Sequence, residues 1–315
     1  MARPRGLPPF ERLLKSREVE DPVNVWLHRP LAYAFVWATF RTRLTPNAIT
    51  GLAMLVGIAA GVAILREAFV LGGLLLWASA ILDGADGLMA RAKNMSSPFG
   101  RALDGTADVV VAVATVFPTL YHATRGAHEV PVWWGFLAIV LTVPHLMLYD
   151  FYKESYLRAT RIGRGGESTD PEDMQRLVAE AKARGPIHYL AVRYTLVGMI
   201  DGQKTFVEAL DPLAASPMLR KLEATPESAE LHRRFNRAPM RLWAAVSLAP
   251  HSYLMALCLI FGRPDIYVVV RLFVMNAIFV LAVILQRNAT RQTWTEQRAL
   301  ADRPGVHNLL KEGRP

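Results

Sequence analysis

The sequence is poor in the residues that build disulfide frameworks and thiolate metal sites. Cys258 is the single cysteine in 315 residues, so no disulfide can form within the chain, and its apolar surroundings predict a small buried side chain. The basic residues near the start are not followed by the apolar run of a cleaved signal peptide, and we expect the N-terminus to stay in the cytoplasm. Internal repeats and low-complexity tracts are also lacking. What remains is a chain dominated by apolar residues.

Charged residues are sparse, at 20% of the chain, and they carry a net charge of +9. The basic residues cluster beside apolar segments and are not interleaved with aromatic residues, which disfavours nucleic acid as a partner and favours anionic lipid headgroups. Hydrophobic residues reach 52% and the mean hydropathy is +0.21, values typical of a membrane protein with polar loops. The composition therefore predicts one all-α, polytopic membrane domain.

Six apolar stretches are long enough for a helix to cross the hydrocarbon core, which takes about 20 residues. They lie near residues 46–66, 69–91, 101–121, 131–152, 240–261 and 266–286. Most of the Lys and Arg residues between them fall on the side that carries both termini. Because an even number of spans returns the chain to its starting side, we predict that both termini face the cytoplasm, across a bacterial-type inner membrane.

The segments outside the spans are polar or only partly apolar. Residues 24–43 contain an apolar run too short to cross, which favours an N-terminal interfacial helix, with a buried seventh element as the alternative. Residues 153–239 predict a cytoplasmic, partly surface-lying insert with a helix over 171–184. The predicted order is N-terminus with interfacial helix, four spans, insert, two spans and cytoplasmic tail, at residues 1–43, 44–152, 153–239, 240–288 and 289–315.

A set of acidic and small residues lies where the second apolar stretch ends and the third begins. Its positions are Asp83, Asp86, Gly87, Ala90, Arg91, Gly100, Asp104 and Asp108. Residues three or four positions apart share one face of a helix, so the aspartates of each stretch face the same way. The turn signal Ser96-Ser97-Pro98 sends the chain back antiparallel, and the two carboxylate faces can then converge.

Four aspartates beside lipid predict a metal site. They repel one another, and Arg91, Lys93 and Arg101 are too few to neutralise them, which disfavours the alternative of structural salt bridges. Oxygen-only ligands select hard cations such as Mg²⁺ or Mn²⁺, and four aspartates allow one or two ions. Taken singly, Gly87 is typical of packing between helices, and Arg91 is typical of a cation at a helix end. Taken together, Gly87, Ala90 and Gly100 leave room for a ligand beside the aspartates.

The spacing Asp-x2-Asp-Gly-x2-Ala-Arg-x8-Gly-x3-Asp-x3-Asp, from Asp83 to Asp108, resembles the complete signature of the CDP-alcohol phosphotransferase (phosphatidyltransferase) family. The run Thr45-Pro46-Asn47-Ala48-Ile49-Thr50 is similar to a shorter element of that family. The resemblance covers residues 44–152, whereas the last two spans match only in number and hydropathy and the insert departs from it. It implies a six-helix membrane enzyme, a homodimer, with a divalent-metal site at the cytoplasmic surface.

The resemblance also implies roles for individual residues. Asp83, Asp86 and Asp104 would be metal ligands, and Asp108 would be both a ligand and the base that takes the proton of the acceptor hydroxyl. The pocket for the CDP-linked donor would be shaped by Asn47, Thr50, Gly87, Ala90, Arg91 and Gly100. The implied reaction is transfer of a phosphatidyl group from CDP-diacylglycerol to a polar alcohol, with release of CMP.

Two other functions remain as alternatives, and a third is disfavoured. A soluble CDP-alcohol could instead be donated to diacylglycerol, as in choline- or ethanolamine-type transfer. A metal-dependent membrane prenyltransferase would be expected to spread its acids over two distant motifs and more spans, whereas here all four lie between Asp83 and Asp108. An ion-coupled transporter would need midplane acids and discontinuous helices, and neither is visible in the sequence. Lys153, Arg158 and Arg161, just past the fourth span, are typical topology signals, with contact to an acidic acceptor or a lipid phosphate as the alternative.

Isolated polar residues inside the spans predict local packing contacts. His145 and His251 each lie close to a proline, and we expect both to pack between helices. Arg271 and Asn276 in the last span are expected to pair with each other or with the backbone.

Overall fold

The computed structural model describes residues 6–14, 17–126, 128–160, 171–216 and 225–301. Its α-helices are α1 (Phe10–Leu13), α2 (Arg29–Thr39), α3 (Pro46–Leu65), α4 (Phe69–Lys93), α5 (Pro98–Ala123), α6 (Val132–Thr160), α7 (Pro171–Arg184), α8 (Pro186–Ala191), α9 (Gly198–Leu210), α10 (Pro226–Ala245), α11 (Leu248–Ile260), α12 (Pro264–Val269) and α13 (Asn276–Ala301). Helix makes up 84% of the structure, and the described residues contain no strand. The all-α prediction is confirmed.

Three π-helical turns adjoin the α-helices. They are Asn24–His28 before α2, Val192–Val197 between α8 and α9, and Val270–Met275 between α12 and α13. Each is continuous with an adjoining α-helix. The third joins α12 directly to α13, so these two helices form one long element.

Six helical segments of the described chain are long and apolar enough to cross a membrane, as predicted. They are Pro46–Leu65, Phe69–Lys93, Pro98–Ala123, Val132–Thr160, Pro226–Ile260 and Pro264–Ala299. The chain is therefore an integral membrane protein. Successive spans alternate in direction, so the start of α3, the end of α4 and the start of α5 lie at the same side of the membrane domain, which we call the aspartate side.

Several helices run further than the apolar stretches. The fourth span continues to Thr160, the fifth begins at Pro226, and the last helix ends at Ala301, inside the expected tail. Hydropathy marks only the part of a helix that lies in lipid, whereas packing against neighbours extends it into water. The fifth span is interrupted between α10 and α11, where Pro250 has no N–H to donate to the Val246 carbonyl.

Small residues bring the first span close to the third and the second span close to the fifth. A Cβ atom added at Gly61 of α3 would lie 2.1 Å from the carbonyl oxygen of Ala114 in α5. One added at Gly73 of α4 would lie 2.6 Å from the carbonyl oxygen of Ala256 in α11. Such close backbone approach is how membrane helices gain packing contacts without large side chains. The start of α3 is fixed by Thr45, whose side chain accepts a hydrogen bond from the Ala48 N–H, as its sequence predicts.

The N-terminal segment lies on the aspartate side, against α3 and α4. Leu13, Ala32 and Val36 are buried in one cluster with apolar side chains of those two helices. Trp26 and Leu31 are 73% and 44% exposed on the other face. This two-faced packing is consistent with the predicted interfacial helix.

Polar residues in the last three spans contact one another. His145 and His251 are buried with their rings 5.8 Å apart and nearly parallel, in agreement with the predicted packing role. Asn276 donates to the carbonyl of Arg271 at 3.2 Å and lies 3.1 Å from His145 Nε2, and Arg271 Nε donates to Thr142 Oγ1 at 2.7 Å. These contacts satisfy the pairing expected of Asn276 with backbone.

Candidate active site

The aspartates are brought together by a tight hairpin between α4 and α5. Asn94 ends α4 in the left-handed conformation, with φ of 53°. Ser97 then accepts a hydrogen bond from the Gly100 N–H at 3.0 Å, and Pro98 occupies the first turn of α5. The turn predicted from Ser96-Ser97-Pro98 is therefore present, and the last turns of α4 face the first turns of α5.

Three of the four aspartates converge on one point. Asp83 and Asp86 of α4 and Asp104 of α5 each offer a carboxylate oxygen, and these oxygens lie within 4.8 Å of one another. Asp108 lies one turn further along α5 and faces the same cavity. Carboxylates this close repel one another unless a cation or a proton lies between them. An all-oxygen set of this kind fits Mg²⁺ or Mn²⁺.

A threonine from the first span holds one of these carboxylates. The buried Thr50 hydroxyl lies 2.5 Å from Asp86 Oδ2, to which it donates a hydrogen bond. Sequence resemblance placed Thr50 in the donor pocket, and the structure shows that its hydroxyl is engaged by the acidic cluster. Asn47, one turn earlier, lies beside Gly100, where an added Cβ would come within 3.3 Å of Asn47 Oδ1.

The carboxylates open into a cavity of about 1370 Å³. Nine of the ten residues predicted to bind the metal or the donor line it, and Asp83 does not: the nine are Asn47, Thr50, Asp86, Gly87, Ala90, Arg91, Gly100, Asp104 and Asp108. Arg91 folds back over Gly87, because a Cβ at that glycine would lie 3.3 Å from Arg91 Nη1. Glycine thus leaves space for a guanidinium group that faces the cavity.

The N-terminal segment contributes contacts that the sequence did not predict. Arg91 Nε donates to the carbonyl oxygen of Leu13 at 2.6 Å. Arg29 Nη1 donates to the Gly84 carbonyl at 3.2 Å, and its Nε is paired with Glu20 at 2.8 Å. Burial alone would lower the pKa of the Arg29 guanidinium, but the negative charges of Glu20 and Asp83 outweigh it and raise the pKa. The Arg29 guanidinium therefore stays positively charged and attracts the Asp83 carboxylate of the triad.

The insert forms one wall of the cavity. Lys182, Arg193 and Gln203 line it, and Gln203 Nε2 donates to Asp150 Oδ2 at 2.9 Å. Lys153 also lines the cavity and is paired with Asp150. Arg158 is a further lining residue, while Arg161 lies outside the described residues. Lys153 and Arg158, in the last turns of the fourth span, thus lie beside the site, and their contact with an acidic acceptor or a lipid phosphate stays a prediction.

Comparison with known proteins agrees with this geometry. Residues 43–199 match the family model for CDP-alcohol phosphatidyltransferase. The curated protein named bifunctional IPC transferase and DIPP synthase, from Aquifex aeolicus (strain VF5), is 35% identical over 115 residues. That match covers 36% of this chain and 26% of the relative, so the chain spans about a quarter of that protein's length. With the family's domain over residues 43–199 and seven of the eight signature residues lining one cavity, the chain belongs to the CDP-alcohol phosphatidyltransferase family.

Proposed function

We propose that this protein transfers a phosphatidyl group from CDP-diacylglycerol to an alcohol acceptor and releases CMP, as a step of phospholipid synthesis. The observation that carries the proposal is the convergence of Asp83, Asp86 and Asp104 within 4.8 Å, at the end of two membrane-spanning helices. Family membership supports transfer of a phosphoalcohol group from a CDP-alcohol. We infer in addition that the CDP-linked donor is a lipid.

In this proposal the triad holds Mg²⁺ or Mn²⁺, with Asp108 as a further ligand. When bound, the metal would offset the negative charge of the pyrophosphate. Asp108 takes the proton from the acceptor hydroxyl as the acceptor oxygen bonds to the phosphorus of the phosphatidyl group. The bond from that phosphorus to the CMP oxygen breaks, and CMP leaves with the electron pair. The position of Asp108 in the cavity, beside Asp104 on the same helix face, supports this role.

The cytidine diphosphate would lie against the faces of α4 and α5 that have small side chains. Gly87, Ala90 and Gly100 give the nucleotide close access to the helix backbones, and all three line the cavity. Arg91 offers a guanidinium for a phosphate oxygen, and Asn47 a side-chain amide for the nucleotide. The Leu13 carbonyl oxygen accepts from Arg91 Nε, and this hydrogen bond supports the role by fixing the guanidinium group beside the cavity.

We further propose that the site faces the cytoplasm of a bacterial-type inner membrane and that the protein forms a homodimer. The asymmetry of basic residues supports the orientation, because the insert and Arg91, Lys93 and Arg101 lie on the aspartate side. In this proposal the membrane surrounds the six spans and also supplies the lipid donor.

A direct test supplies purified protein with Mg²⁺ or Mn²⁺, CDP-diacylglycerol and a panel of polar alcohols, and identifies the lipid product by mass spectrometry. CMP release with a phosphatidyl-alcohol product is expected. Asp104→Asn should abolish CMP release while the protein remains folded, whereas Glu208→Gln, which changes an exposed carboxylate outside the cavity, should leave it intact. Product formation only from CDP-choline or CDP-ethanolamine with diacylglycerol would reverse the proposed direction. Release of pyrophosphate from a prenyl diphosphate, without CMP chemistry, would overturn the proposal.

A further inference from the structure

The insert carries an apolar surface that no described residue covers. Ile187, Leu190 and Tyr194 are 74%, 51% and 74% exposed. They lie three and four positions apart, on one side of the helical path formed by α8 and the π-helical turn that follows it. We call these three side chains the insert stripe. An exposed row of large apolar residues next to a membrane domain needs a partner.

The opposite face of the same segment is fixed to the third span. The His188 ring lies 4.3 Å from the ring of Phe99, measured between centroids. Val192 is 2% exposed and packs in one cluster with Ala102 of α5 and Ala181 of α7. Phe99 and Ala102 belong to the first turns of α5, where this span enters the membrane on the aspartate side.

This attachment sets the depth of the segment. A helix packed sideways against the first turns of a spanning helix lies at the boundary between water and hydrocarbon, where amphipathic helices bury an apolar face. Tyrosine is a residue that membrane interfaces favour. The neighbouring Arg184 is an exposed cation outside the cavity, and anionic headgroups attract such residues. Depth, apolarity and charge all match one partner, the headgroup layer of the bilayer.

We propose that the insert stripe is seated in the lipid headgroup layer, so that the wall of the cavity formed by residues 186–210 is anchored to the membrane. The inward side of this wall includes Arg193, Ile200 and Gln203, which line the cavity. Seating the stripe therefore holds these side chains at the level where a membrane-borne molecule would reach the carboxylates. The anchoring stands on packing and exposure, and it holds whatever reaction the site performs.

Single-cysteine labelling tests the proposal directly, because the native Cys258 is buried and can be replaced by Ala. Full-length protein in nanodiscs of zwitterionic and anionic phospholipid is given a cysteine at position 187, 190 or 194 and labelled with bimane. Glu180→Cys, at an exposed position of α7, is the matched control. Lipids with a doxyl group near the headgroup should quench the three stripe positions at least about threefold more than the control, and aqueous iodide should show the reverse order.

Two outcomes would overturn the proposal. Iodide quenching of the stripe as strong as that of position 180 would show that the stripe faces water. Protection from both quenchers would show that protein, such as a second copy of this chain, covers it. A charged variant, Ile187→Glu combined with Tyr194→Glu, should reduce doxyl quenching of a label at position 190. If that variant does not fold, the single-cysteine series still decides, and none of these readouts depends on catalysis.

Discussion

Thr50→Val removes the hydroxyl that donates to Asp86 of the acidic triad while keeping the shape of the side chain. Thr50 is 3% exposed, and its Oγ1 lies 2.5 Å from Asp86 Oδ2 and 3.2 Å from the Pro46 carbonyl oxygen. A hydroxyl has one proton to donate, and a charged carboxylate is the stronger acceptor. The hydroxyl therefore orients Asp86 toward Asp83 and Asp104.

The expected effect of Thr50→Val is a loss of metal affinity. A hydrogen bond to a charged group contributes roughly 1.5–3 kcal/mol, and about 1.4 kcal/mol corresponds to tenfold in a binding constant. Mn²⁺ should therefore bind about 10- to 100-fold more weakly, which is also the range found when a partner of a metal ligand is removed. The free Mn²⁺ signal in electron paramagnetic resonance gives the affinity of the purified protein without any turnover.

Thr50→Ser is the matched control, since it keeps the hydroxyl and removes only a methyl group. We expect it to retain most of the affinity, and both variants to melt close to the parent temperature without metal. Unchanged Mn²⁺ affinity in Thr50→Val would refute the reasoning. Equal losses in the two variants would show that any substitution at position 50 weakens binding, and the hydrogen bond would then not be its specific cause.

Gly61→Ala should destabilise the protein by about 1–3 kcal/mol through overpacking against Ala114, whereas Gly51→Ala, with no atom within 4 Å of the added Cβ, should stabilise by up to about 1 kcal/mol through helix propensity. Thermal melting in detergent measures both, and equal shifts would contradict the close approach. Arg29→Gln should lower the melting temperature of the metal-free protein and enlarge the rise caused by Mn²⁺, because its charge no longer offsets Asp83. Arg29→Lys should keep most of that charge effect, and a Gln variant with parental melting curves would show that the charge is unimportant. Chelation of divalent cations should stop CMP release and lower the melting temperature, and added Mn²⁺ should restore both; turnover in excess chelator would argue against a metal-dependent reaction.

The sequence predicted the spans well because lipid imposes a simple rule. Each crossing needs about 20 apolar residues in a row, and local signals such as Thr45 and Ser97 mark helix starts through their own side chains. The extension of the fourth helix to Thr160 and the start of the fifth at Pro226 follow no such rule. These two helix ends are helical because they pack on other helices. A short stretch of sequence does not show which helices those are.

The acidic site was predictable for a similar reason. Helical spacing within α4 and α5 and one turn signal were sufficient to bring Asp86 and Asp104 to facing positions. The bond from Thr50 to Asp86 joins residues 36 positions apart, and the contact from Arg29 to Gly84 joins residues 55 apart. Contacts of that range depend on how helices dock, and no pattern near Thr50 or Arg29 identifies their partners.

Two hydrogen bonds tie the start of the chain to the hairpin of α4 and α5, one from Arg91 to Leu13 and one from Arg29 to Gly84. Both Leu13 and Arg29 precede residue 43, where the match to the family begins. A fragment that begins at residue 43 would keep all four aspartates of the site and still lose these two hydrogen bonds. In homologues whose sequence differs before that boundary, we therefore expect Arg91 and the backbone at Gly84 to be held in place differently, even where the signature residues are identical.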